Sequence, residues 1–103
     1  MYSFDLLNHL ILYDDKLPIY ISYSNNELHS IQKITYDNTC ILLYYSNNSN
    51  TYTVGEIRNI LLVYDNSLVY ATEKITWLDI DKIICDDQMI ILYYNHPSIN
   101  STI

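Results

Sequence analysis

Two cysteines and three histidines are the side chains of this 103-residue chain best suited to nucleophilic chemistry, and their spacing does not assemble it. A cysteine or serine nucleophile needs a base beside it and an acid to orient that base. Cys40 and Cys85 fall in apolar, strand-like segments. His9 falls on a helix, His29 near a turn and His96 in the C-terminal tail. Nothing local pairs them, so the cysteines read as small buried apolar groups and the chain reads as a non-enzyme. The carboxylates are more concentrated. Asp79-x-Asp81 would put two on one face of a strand, and Asp86-Asp87 would follow at the hairpin end of the same segment. Oxygen donors of this kind suit Mg²⁺ or Ca²⁺. No recognised ligand spacing and no loop glycine accompanies them, so they read as a solvated acidic face, and no metal or other cofactor is expected. One glycine in the whole chain also argues against a phosphate-cradling loop.

Composition bounds what must position these groups. Half the residues are apolar, with 12 tyrosines among them, and only one glycine and two prolines. That excludes disordered and collagen-like classes. Ile and Tyr fill a pleated, half-buried surface and favour strands. The length suits one domain with one modest core. The net charge of −7 opposes binding to bare nucleic acid or an anionic membrane, which are held through Lys and Arg, and suits a basic partner. The first 15 residues lack the positive start of a signal peptide, and no apolar run approaches a membrane span, so a cytoplasmic protein with reduced cysteines is expected.

The chain reads as one unit written twice. Ile41-Leu42-Leu43-Tyr44-Tyr45 is echoed by Ile90-Ile91-Leu92-Tyr93-Tyr94. Setting Tyr2 on Tyr52 aligns Phe4 with Val54, Leu7 with Ile57, Leu10 with Ile60, Ile19 with Val69 and Tyr20 with Tyr70. After a one-residue gap, Ile31 aligns with Ile80, Lys33 with Lys82 and Ile34 with Ile83. Repeats 2–47 and 52–96 would be joined by a polar linker, 46–51, and followed by a short tail. Each repeat opens with a helix. Thr53 and Glu56 form a capping box ahead of Val54, Ile57, Ile60 and Leu61. In the first copy Ser3 would cap a stripe of Phe4, Leu7, Leu10 and Ile11. Three strands follow, the second with a bulge or short helical turn, and Asp37-Asn38 and Asp86-Asp87 make tight turns. The Tyr44-Tyr45 and Tyr93-Tyr94 strands are apolar on both faces and should be central or covered on both sides. The expected fold is α+β: a tandem α-β-β-β unit with pseudo-twofold packing, about six mostly antiparallel strands and two helices.

The copies differ at one place that bears on function. With Ile75 to Ile84 as a strand, Trp77, Asp79 and Asp81 share a face, where the first copy carries Glu27 or Leu28, Ser30 and Gln32. An exposed Trp beside carboxylates would anchor a basic partner, because Trp buries much area for few rotatable bonds. The alternative places Trp77 in the core with Asp79 and Asp81 at solvent.

The run Tyr52-Thr53-Val54-Gly55-Glu56-Ile57 and the strand after its acidic turn resemble small phage and prophage proteins. Those proteins open with a Thr-Val-Gly-Glu-Leu-like helix start, followed by a Pro-Val-Val-Val-like strand and a hairpin. Ser3-Phe4-Asp5-Leu6-Leu7 and Leu17-Pro18-Ile19-Tyr20-Ile21 follow the same outline. The chain departs from them in carrying two copies, with Asp5 where Gly55 stands in the second. The resemblance implies a mobile-element origin and transfers no catalytic residue. The resulting expectation is a phage-encoded, non-enzymatic inhibitor, monomer or homodimer. It would bind a basic host protein, such as a CRISPR effector or other nuclease, through Trp77, Asp79, Asp81, Asp86 and Asp87. An immunity protein against a toxin nuclease, or a module self-associating through sheet edges, are the alternatives.

Overall fold

The computed structural model describes residues 1–22, 27–47 and 50–94. Most of the polar Ser24-Asn25-Asn26-Glu27 cluster, expected as a turn after the first strand, the middle of the linker and the tail with His96 and Pro97 lie outside them. The element order is α1 (Ser3–Leu10), β1 (Ile19–Ser22), β2 (His29–Asp37), β3 (Cys40–Ser46), α2 (Val54–Val63), β4 (Leu68–Thr72), β5 (Trp77–Cys85) and β6 (Ile90–Tyr94). This is the expected α+β order, α-β-β-β twice.

The six strands close into a barrel in chain order. Within each half the strands run antiparallel. The halves meet through two parallel seams, β3 on β4 and β6 on β1. The seams repeat one register: Ile41 faces Val69 as Ile90 faces Ile19, and Leu43 faces Ala71 as Leu92 faces Ile21. The bulge recurs as well, between Ile31 and Lys33 in β2 and between Ile80 and Lys82 in β5. Closure gives every strand two neighbours, but two pairings are short: β2 beyond Ser30 runs past its pairing with β1, and β5 beyond Asp79 runs past its pairing with β4. β3 is buried on both faces at Leu42, between Ile41 and Leu43, whereas β6 alternates buried Ile90, Leu92 and Tyr94 with half-buried Ile91 and Tyr93.

Side chains fill the interior. Ile19 and Ile21 of β1, Ile41 and Leu43 of β3, Val69 and Ala71 of β4 and Ile90 and Leu92 of β6 are buried. Of each tyrosine pair, one ring points in and one out. Tyr45 and Tyr94 are buried and stacked at 5.4 Å, with their hydroxyls 3.2 Å apart. Tyr44 and Tyr93 lie outside under Lys33 and Lys82, at 5.4 and 5.1 Å from ring centre to ammonium.

Leu6 and Leu10 from α1 and Val54, Ile57 and Leu61 from α2 complete the same core. This corrects the first helix. Leu6 is fully buried, whereas Phe4 is 63 % and Ile11 58 % exposed, and Leu7 packs only at the margin. Ser3 is not the cap; Tyr2 is, without a side-chain cap bond, and Ser3 is buried one position inside. The helices therefore correspond 51 positions apart, Ser3 with Val54, Leu6 with Ile57 and Leu10 with Leu61. The identities Tyr2/Tyr52 and Ser3/Thr53 suggest 50. The cause is one extra residue in the first half between the start of the helix and its strand, which rotates the helix by about 100° relative to that alignment. In α2, where the capping box Thr53–Glu56 is present, the expected stripe holds except that Ile60 is only half-buried.

The halves interlock at the helix starts. Ser3 N donates to Ser67 O at 2.6 Å, and Val54 N donates to Leu17 O at 2.8 Å. Val69 N donates to Met1 O as Ile19 N donates to Tyr52 O. Each helix start is thus tied to the segment that enters the first strand of the other half. Gly55 N donates to Asp15 O at 2.9 Å, and a Cβ at residue 55 would lie 3.1 Å from Asp15 Cβ, so glycine permits this approach. Arg58 reinforces the contact, reaching Leu10 O, Tyr13 O and the Asp15 carboxylate.

Candidate functional site

Along β5 the side chains alternate as the strand period requires: Leu78 and Ile80 face the core, and Trp77, Asp79 and Asp81 face solvent. Trp77 is 43 % exposed, neither in the core nor free, because its ring tilts against Tyr70 of β4 at 5.7 Å. Tyr70 is opposite Asp79 in the β4–β5 ladder, and Thr72 is opposite Trp77. The outer face of the β4–β5 ribbon therefore presents an indole, a phenol and the Asp79 carboxylate, with exposed Asp81 following at the β5 bulge beyond the last β4–β5 pair. Asp79 also accepts from the Met1 ammonium at 2.9 Å, yet its side chain is 61 % exposed. An ion pair so placed is worth about 0–1 kcal/mol and yields readily to a competing cation.

Asp86 and Asp87 stand apart from this group. They occupy the β5–β6 turn, at the other end of β5 from Trp77. Asp86 Oδ1 accepts from Gln88 N at 2.7 Å and Met89 N at 2.9 Å, and Asp86 N donates to Met89 O, so this carboxylate shapes the turn. Asp87 is exposed beside it. At about 3.3 Å per residue the strand separates the turn from Trp77 by roughly 25–30 Å. The structure thus brings Trp77, Asp79 and Asp81 onto the outer face of β5 and leaves Asp86 and Asp87 off it. Tyr70 was not singled out from the sequence. Its signal is that it sits on the strand preceding the Trp, out of phase with buried Val69 and Ala71.

The other chemistry-bearing residues form no constellation. Among the described residues no group of three His, Cys, Asp or Glu side chains is placed to hold a metal ion. Cys40 and Cys85 are free, half-buried thiols. The Cys85 thiol near Tyr13, through hydrogen bonding and then charge repulsion, with a further part from burial, holds the Tyr13 hydroxyl above the ordinary tyrosine range. Tyr64, the counterpart of Tyr13, stacks at 4.2 Å on Tyr36, the counterpart of Cys85, so both pairs clamp a helix end to a hairpin. His29 bonds the Asn47 side chain at 2.8 Å and lies against Tyr45. His9 is exposed on α1. Among the described residues no helix is long and apolar enough to cross a membrane. No protein-family model, no curated protein and no solved structure matches this chain.

Proposed function

We propose that this protein is a non-enzymatic inhibitor that binds a basic, nucleic-acid-handling protein through the outer face of the β4–β5 ribbon. The carrying observation is the half-exposed Trp77 braced by Tyr70 with Asp79 and Asp81 beside it, in a chain of net charge −7. The indole supplies a large anchor whose rotamer is already restricted, so little entropy is lost on binding. The carboxylates stand where phosphates would on the partner's basic surface. The long-range field speeds encounter and makes it salt-dependent. A phage-encoded inhibitor of a host defence nuclease, anti-CRISPR-like, is the form that joins these properties to the resemblance of the helix start. An immunity protein against a toxin nuclease would use the same face. Self-association through sheet edges is the second reading, supported by the stretches of β2 and β5 that run past their pairing with β1 and β4.

The test is capture of a candidate effector or nuclease on the immobilised protein over a salt series. Binding should weaken steeply as salt rises. Trp77→Ala should cost about 2 kcal/mol, roughly 30-fold in Kd, and Asp79→Lys should reduce the association rate. Equal binding by both variants would remove this face from the account.

A further inference from the structure

A second feature of the fold answers a different chemistry. β3 and β4 form a parallel pair, joined through α2, and a groove of about 860 Å³ opens at their carboxyl ends. Tyr44 lies on its wall, between Lys33 on one side of the ladder and Thr72 on the other. Ser46 follows two residues along the same outer face, and Glu73 and Lys74 close the far side. The volume is that of a small-molecule site.

Two observations set the polarity of the occupant. The chain has five basic residues against 12 acidic, and two of the five, Lys33 and Lys74, line this groove with Glu73 as the one acid. Among the described residues the Ser46 hydroxyl, also on the wall, is buried without a hydrogen-bond partner, as is the Thr72 hydroxyl next to Tyr44. A buried hydroxyl lacking an acceptor is costly, and an anionic oxygen satisfies it better than a neutral one. The copies diverge here as well. Where Gln32 lines the groove, the matching residue of the second half is Asp81, which would repel an anion.

We propose that this groove binds a small organic anion. Its phosphate or carboxylate oxygens bridge Lys33, Lys74 and the Ser46 hydroxyl, and its body packs on Tyr44. The site runs from β3 onto the β4–β5 turn, next to Trp77, but its test with small anions does not depend on the inhibitor reading.

Amide chemical-shift titration of the full chain tests it with four probes: phenyl phosphate, inorganic phosphate, citrate and phenol. Saturable shifts at Ser46, Asn47 and Lys74 are expected with phenyl phosphate or citrate, whichever of the two anion types the groove prefers, and inorganic phosphate should bind more weakly than phenyl phosphate. Lys33→Gln and Lys74→Gln alter exposed side chains and should each weaken binding about tenfold, the usual loss for one charge-assisted bond. Ser46→Ala should weaken binding without lowering Tm, which separates a ligand contact from a structural one. Absence of saturable shifts with every anion, binding of phenol as tight as phenyl phosphate, or unchanged affinity in both lysine variants would overturn the proposal.

Discussion

Leu6→Ala measured against Phe4→Ala decides the register of the first helix. Leu6 is fully buried among the residues that close the core, while Phe4 is 63 % exposed. Burying a leucine side chain is worth about 1.5–3 kcal/mol by transfer. A cavity that cannot collapse brings the cost of truncation to about 3–4 kcal/mol, within the range for buried leucines. Collapse is restricted here because the helix start is fixed by Ser3 N to Ser67 O and by Ser67 N to the Ser3 hydroxyl. A domain of this size holds about 5–15 kcal/mol in total, so Leu6→Ala should remove a large share and lower Tm by roughly 15 °C. Phe4→Ala should change stability by no more than about 0.5 kcal/mol, as exposed positions do. Equilibrium urea unfolding reports both, with the midpoint moving and the slope constant for Leu6→Ala. A larger loss in Phe4→Ala than in Leu6→Ala would refute the buried stripe and restore the alignment that sets Phe4 on Val54.

Three other outcomes follow from the contacts between the halves. Arg58→Met keeps the aliphatic stem but loses the bonds to Leu10 O, Tyr13 O and Asp15; it should cost about 1–2 kcal/mol in urea unfolding, less at high salt. Gly55→Ala pushes a methyl to 3.1 Å from Asp15 Cβ, so despite the better helix propensity of alanine the substitution should lower Tm. The Tyr13 hydroxyl should titrate above the ordinary tyrosine range by ultraviolet difference absorbance, and fall toward that range in Cys85→Ala. Because its folded pKa is raised, the folded state holds that proton more tightly. The resulting stability is present below the ordinary tyrosine pKa and is lost as pH rises through the raised value.

Much of this architecture is legible in the chain because its cues are local. The period-two alternation of Trp77 to Ile80 places an indole and a carboxylate outward and two aliphatics inward, and one strand suffices to fix that. The Thr53–Glu56 capping box marks the start of α2 to the residue. The repeated Ile-x-Leu-Tyr-Tyr runs yield two matching strands, and the bulge before Lys33 and Lys82 recurs with them. Three things were decided only by the tertiary structure. Barrel closure depends on the β6–β1 and β3–β4 seams, which pair residues far apart in sequence and leave no mark in either strand alone. The face that α1 buries was set by the length of the turn after it and by what the core had room for, so Leu6 displaced Phe4 despite the matching tyrosines ahead of each helix. The five acidic and aromatic residues of the second copy look like one cluster in sequence, but a strand at about 3.3 Å per residue carries Asp86 and Asp87 away from Trp77 and brings in Tyr70 from the neighbouring strand instead. Local periodicity thus fixes which way a side chain points, and only the pairing of distant strands fixes what stands beside it.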